Sequence, residues 1–312
     1  MRDGELGPRL RPMKGRPRGA SRPIADVGEL LEVAADRLSR ARLHYGHGTD
    51  NPRDDAAALV FHALGLAHES APGSYRLPVT ARAAARALAL VDRRIRERVP
   101  SAYLTGISWF AGHPIRVTRD VLVPRSPIAE LCLAGFAPWV SPGRVRRMLD
   151  IGTGSGCIAI AAAHALPRAR VDATDVSPAA LAVARRNVRL HGLGGRVRVR
   201  RADVYEGLEA RRYDIIVSNP PYVSATEMHR LPREHRAEPA SSLRATRGGL
   251  AVVERIVAGA KRHLHPRGIL VVEVGNAAPR VRRRYRDLPL TWLEFEHGHA
   301  EVFLLHAADL PD

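Results

Sequence analysis

"LDIGTGSGCIAIA", residues 149–161, passes from an apolar run through three glycines into a second apolar run. With the preceding "VRRM", the first run reads as a strand. The second, Ile158–Leu166, reads as a helix. Gly152, Gly154 and Gly156 between them let the backbone turn tightly and approach a ligand closely. The spacing is G-x-G-x-G. A dinucleotide site uses G-x-G-x-x-G, with pyrophosphate at the helix N-terminus, so a nicotinamide site is not expected. Ser155 lies outside the G-x-S-x-G frame of a nucleophilic serine.

Outward from this loop, strand and helix signals alternate. "RVDATD" is a predicted strand and Pro178–His191 a helix. "RVRVRRAD" and "YDIIVSN" are strands, a helix covers about 249–264, and "GILVVEVG" is a strand. "TWLEFE" and "AEVFLLH", separated by "HGH", predict a terminal hairpin. Repeated strand–helix units imply an α/β fold with a mostly parallel sheet and an antiparallel edge. Upstream the period is helical. Val27, Leu30, Leu31, Ala34, Leu38 and Ala41 share one face, and further helices are expected over about 53–66 and 80–98. In 108–124, Ile115, Val117, Val121 and Val123 suggest two strands joined at Thr118–Asp120. The expected organisation is a basic disordered arm (1–23), a small helical domain (24–100), a bridging β-hairpin segment (101–126) and the α/β domain (127–312).

Composition narrows the function classes. The chain has 312 residues and a formal net charge of +17. That charge fits an anionic partner such as RNA or a ribosome, but lysine occurs only at Lys14 and Lys261, and an arginine-rich codon bias accounts for it equally well. No apolar run reaches the roughly 18 residues of a membrane span. The basic N-terminus lacks the apolar core of a secretory signal. Cys132 and Cys157 imply no disulfide framework, so a cytoplasmic protein is expected. "HYGH" and "HGH" lack cysteine or carboxylate partners at zinc spacing, and no metal is expected.

Three carboxylates end three successive strands: Asp150, Asp175 and Asp203. Ligands of open α/β sheets bind at those ends. Asp175 is placed to accept both hydroxyls of a ribose, and Asp203 to accept from an adenine amino group with Val204 against the ring. "NPPY" (219–222) ends the fourth strand at the same edge. Prolines fix the backbone there, so the Asn219 side chain and the Pro220 carbonyl form a preset pair of acceptors. Such a pair suits a planar amino group, and Tyr222 can stack on its plane. Hydrogen bonds to both hydrogens free the nitrogen lone pair for attack on an electrophilic methyl.

Together "DIGTGSG", Asp175, "AD" and "NPPYV" resemble the class I S-adenosylmethionine-dependent methyltransferases (Rossmann-like) that modify planar nitrogens of adenine, cytosine or glutamine. "YGHGTDNPRDDA", "ERVPSAYLTGISWFAG", "VLVPRSPIAEL", "RAEPASSL", "LVVEVGN" and "WLEFEHG" resemble the bacterial protein-(glutamine-N5) methyltransferases, from about residue 26 to the end. "VPRSPIAEL" (123–131) is similar to the branch acting on ribosomal protein L-three. The resemblance implies S-adenosyl-L-methionine as cofactor, held by Gly152, Thr153, Gly154, Ser155, Gly156, Asp175, Val204 and Asn219. It implies a glutamine amide held by Asn219, Pro220, Pro221 and Tyr222. Arg125, Ser126 and Glu130 fall near the substrate, Arg125 as a binding residue. The expected partner is ribosomal protein L-three, free or in an assembling subunit, with an rRNA contact through the arm. The alternatives are an amino-group methyltransferase acting on nucleic acid (adenine N6 or an rRNA base), or an RNA-binding assembly factor on a vestigial fold.

Overall fold

A computed structural model describes residues 24–67, 71–208, 211–297 and 300–311. The arm 1–23 and His299 lie outside the described residues. The amphipathic segments near the N-terminus form helices α1 (Val27–Arg40), α2 (Pro52–Leu64), α3 (Ala71–Ser74), α4 (Ala81–Glu97) and α5 (Ser101–Thr105). Asp26, Asn51 and Thr80 cap α1, α2 and α4 by accepting first-turn N–H groups, which would otherwise lack partners. Leu30, Leu38, Leu59, Val60, Ala87 and Val91 are fully buried where α1, α2 and α4 meet.

Strands β1 (Ile107–Phe110) and β2 (His113–Arg116) form the hairpin. Its turn is at Ala111–Gly112, both at positive φ, as a two-residue connection between twisted strands requires. The expected joint at Thr118–Asp120 is therefore corrected. Among the described residues, 121–123 pair with no strand. Val117, Val121 and Val123 alternate because they plug the core at 3%, 0% and 0% exposure, and burial alone produced the period.

After α6 (Ile128–Leu133) come β3 (Arg147–Ile151), α7 (Cys157–Ala165), β4 (Arg170–Asp175), α8 (Pro178–Leu190), β5 (Val197–Arg201) and β6 (Tyr213–Ser218). Then follow α9 (Ala225–Met228), α10 (Ala240–Leu243), α11 (Ala251–His263), β7 (Leu264–Glu273), α12 (Ala278–Arg284), β8 (Thr291–Leu293) and β9 (Val302–His306). The seven strands order as β5-β4-β3-β6-β7-β9-β8. Pairing is parallel as far as β7, and β9 runs antiparallel to β7 and β8. α7 is apolar almost all round, as a helix buried against a sheet must be. The winding reverses between β3 and β6. Ile151 pairs with Ser218 there, which sets the glycine loop beside the Asn-Pro-Pro-Tyr turn, at the place where open sheets bind ligands.

Candidate active site

Gly152, Gly154 and Gly156 have φ of 71°, 54° and 84°, a region costly for residues with a Cβ. A Cβ on Gly152 or Gly154 would meet nothing within 4 Å, whereas one on Gly156 would press on Ala184 of α8 at 3.4 Å. The first two thus keep an open cradle, and the third lets α7 and α8 approach. The loop is tied at several points. Thr153 N–H donates to the Thr174 carbonyl, Thr153 Oγ1 to Asp150 Oδ2 at 2.5 Å, and Gly154 N–H to Asp175 Oδ2 at 3.0 Å. Ser155 is buried, and its carbonyl accepts from Asn187 Nδ2 at 2.8 Å.

Asp150 is 1% exposed, and its Oδ1 has no hydrogen-bond partner. Burial pushes its carboxyl up to about 7, partly offset by the Thr153 hydrogen bond. An orphaned buried carboxylate oxygen beside an open glycine cradle fits a cofactor that brings a positive donor group. Asp175 accepts Gly154 N–H on one oxygen and Ser177 N–H at 2.9 Å on the other. It is both a turn residue and, with a lone pair left on each oxygen, a fit for vicinal hydroxyls. Asp203 differs from expectation. Its side chain is 43% exposed and already paired through Oδ1 with Arg255 of α11 at 2.8 Å, so a base would share it with that guanidinium. Val204 beside it is buried, at a φ of 57° that a β-branched residue rarely adopts.

The Asn-Pro-Pro-Tyr turn is held from below by a residue that sequence reasoning missed. Glu273, at the end of β7, is 3% exposed. It accepts from Ser126 Oγ at 2.5 Å and Tyr222 OH at 3.2 Å, and the Asn219 side chain is near enough to favour its ionised form. An ionised carboxylate only accepts, so an Asn219 amide that favours it does so through its NH2, which would leave the carbonyl oxygen for other partners. Burial raises Glu273 above the usual carboxylate range, against those hydrogen bonds and the nearby Arg125 charge. Tyr222 seats its ring on Gly275, and a Cβ on Gly249 would strike the Tyr222 carbonyl. The "RGG" segment therefore packs against the turn from behind. Pro220 is buried, and Asn219, Pro221 and Tyr222 are partly open.

Arg125 forks onto Glu238, with Nη1 2.5 Å from Oε1 and Nη2 2.9 Å from Oε2. Burial alone would raise Glu238, but His47, whose Nε2 is 3.5 Å away, and the Arg125 guanidinium hold it at about 2. His44 and His47 of "HYGH" meet His235 in tilted and edge-on ring contacts beside this pair. A second buried chain runs from Asp55 through Arg94 at 2.8 Å to Glu234, which also takes Arg98 at 3.0 Å and His44 N–H at 3.1 Å. Helices α2 and α4 are thereby pinned to the segment after the Asn-Pro-Pro-Tyr turn. Ser126 joins the site through Glu273. Glu130 does not, because its carboxylate holds the backbone of Glu296 and His297. The one signal for Glu234, Glu238 and Glu273 was their place in the segments "EHRAEP" and "VVEVG".

The sheet order and the two adjoining loops define a class I methyltransferase. A family model described as "Methyltransferase small domain" matches residues 137–238, and one described as "PrmC N-terminal domain" matches 29–106. A solved structure with the same fold is the hMettl16 catalytic domain in complex with MAT2A 3'UTR hairpin 1. It is 21% identical with a TM-score of 0.52, and the match covers 82% of this chain and 92% of that one. "Ribosomal protein uL3 glutamine methyltransferase" of Bordetella pertussis is 45% identical over 90% of this chain and 95% of its own. The protein of that name from Xylella fastidiosa is 44% identical over 93% of each. The chain belongs to the family of ribosomal protein uL3 glutamine methyltransferases.

Proposed function

We propose that this chain methylates the side-chain N5 of a glutamine on ribosomal protein uL3, with S-adenosylmethionine as donor, in the cytoplasm. The observation that carries the reading is the Asn-Pro-Pro-Tyr turn set beside the glycine loop at the switch point and braced by Glu273, which accepts from Tyr222 OH at 3.2 Å. There the Asn219 side chain and the Pro220 carbonyl would serve as the pair of acceptors. The names of the relatives support the substrate. Bound there, S-adenosylmethionine would supply an electrophilic methyl on a cationic sulfur; the N–C bond would form as the S–C electron pair returns to sulfur, and the one surplus N–H proton would pass to solvent. The Asn219 side chain and the Pro220 carbonyl would accept hydrogen bonds from the two amide N–H groups and draw the nitrogen lone pair out of conjugation. Tyr222, braced by Glu273 and Gly275, covers the plane of the amide. The loop 152–156 with Asp150 and Asp175 holds the donor, with Asp203 and Val204 at the base end. Preorganised groups of this kind gain most in the transition state.

The helical unit 24–100 would recognise the protein substrate, with 101–126 as the bridge and 127–312 as the catalytic domain. Among the described residues, no helix is long and apolar enough to cross a membrane. The arm 1–23 would contact rRNA phosphates, so its deletion should slow methylation of assembling particles at low salt only. The direct test incubates the chain with labelled methyl donor, uL3 and rRNA. Label on a uL3 glutamine is the expected result. Label on nucleic acid, the reading that the +17 charge favours, would overturn the proposal.

A further inference from the structure

Three histidines far apart in sequence meet on the outer side of the hairpin. His113 opens β2, His164 lies in the last turn of α7, and His191 caps the C-terminus of α8. One ring nitrogen from each lies within 4.8 Å of the other two. His164 Nε2 and His191 Nδ1 are 3.4 Å apart. Two imidazole nitrogens about 2.0–2.1 Å from a tetrahedral zinc ion stand about 3.4 Å from each other, so this pair is already at ligating separation. His113 stacks on His164 with ring centres 4.3 Å apart, and a side-chain rotation brings its nitrogen in.

The tautomer also fits. His191 Nε2 lies 2.9 Å from the Pro114 carbonyl. A carbonyl only accepts, so Nε2 carries the proton and Nδ1 presents a bare lone pair towards His164. Metal-binding imidazoles are oriented in this way by a carbonyl on the far nitrogen.

We infer that His113, His164 and His191 form a site for a divalent first-row transition ion, zinc fitting best, which clamps the hairpin to α7 and α8. Three imidazoles without a carboxylate suit zinc, nickel or copper and not magnesium or calcium. His164 is exposed, so the fourth position opens to water. The other cluster of ligand type, His47–His235–Glu238, is a poorer candidate. Both oxygens of Glu238 are engaged by Arg125, whose charge repels a cation.

Untagged full-length chain, stripped with a chelator, is titrated with Zn2+ by calorimetry and with Co2+ by visible absorption. We expect one equivalent bound, a tetrahedral-type Co2+ spectrum, and a melting temperature that rises with Zn2+. His164→Gln and His191→Gln should each weaken binding at least tenfold, and His235→Gln should leave it unchanged. His164 is exposed, so its variant tests binding in a folded chain, which circular dichroism checks. Absence of saturable one-equivalent binding, binding that survives His164→Gln, or binding lost in His235→Gln would each overturn the assignment.

Discussion

The ring of Tyr222 occupies the space that a side chain at residue 275 would need: a Cβ on Gly275 would stand 2.5 Å from Tyr222 Cε2. Gly275 has a φ of 42° as well. Gly275→Ala should therefore push the ring off its seat while leaving the glycine cradle untouched. A misplacement of about 1 Å at a reacting centre costs on the order of 10²-fold. Turnover on uL3 should fall by that order with donor affinity unchanged by calorimetry. Near-normal turnover would show that Tyr222 is only a packing residue.

Asn219→Ala removes the preset acceptor and should lower turnover about 10²–10³-fold, with donor binding within several-fold of normal. Glu273→Gln tests the orientation itself. A glutamine there both donates and accepts, so the Asn219 amide is no longer held one way round, and kcat should fall more than KM rises. Burial raises Glu273, so as pH falls its protonation begins above the ordinary carboxylate range. Wild-type turnover should decline on the acid side, and Glu273→Gln should lose that limb. An identical pH profile for the two would refute the positioning role.

Asp150 trades stability for donor binding. Its folded value near 7 lies above the unfolded value near 4. Between about pH 4 and 7 the folded chain keeps a proton that the unfolded chain has released, so stability falls as pH rises through that window. Asp150→Asn should raise the Tm of the donor-free protein at pH 8, have little effect at pH 5, and weaken donor binding. A lower Tm at pH 8 would count against an uncompensated charge.

Asp175→Ala should weaken S-adenosylmethionine binding by about 1.5–3 kcal/mol, the range for hydrogen bonds to a charged group. The Gly154 and Ser177 N–H groups lose their acceptor too, so a modest drop in Tm should accompany the loss. Unchanged affinity in a calorimetric titration would remove Asp175 from the donor site.

Glu238→Ala leaves the Arg125 guanidinium without its acceptor and His47 without its neighbouring carboxylate. Breaking a buried pair from one side costs about 3–5 kcal/mol, readable as a lower denaturation midpoint at pH 7. Glu238 sits near 2, below its unfolded value. Its contribution is complete above about pH 4.5 and is lost as pH falls towards 2. The variant's deficit should therefore shrink in acid, and a deficit that does not would point to lost packing.

What could be read in the sequence was whatever is written in consecutive residues. The glycine loop, the carboxylates ending β3 and β4 and the proline-fixed turn after β6 each carry their own local signal, and parallel-sheet logic put them at one edge. Glu273 was quoted within "LVVEVGN" without a role, because its part depends on β7 lying beside β6, with Val272 opposite Ser218. Asp203 lies two residues beyond the end of β5, and its partner Arg255 comes from a helix 52 residues on. The hairpin was misplaced because the chain does turn at 118–121, with Val121 N–H donating to the Thr118 carbonyl, while the buried valines beyond that turn pair with no strand. His113, His164 and His191 share no motif spacing and meet only after three elements have packed.

The buried chain Asp55–Arg94–Glu234–Arg98 also limits how this protein can be recombined. Its charges come from both sides of the junction between α2 and α4 and the segment behind the Asn-Pro-Pro-Tyr turn. A hybrid that grafts these helices from a relative lacking the two arginines would leave Glu234, 1% exposed, ionised with no cation beside it. That penalty is several kcal/mol, comparable with the whole margin of a folded domain. The helical unit is therefore not an interchangeable cassette. Any exchange of these helices must carry the acidic and basic members of the chain together.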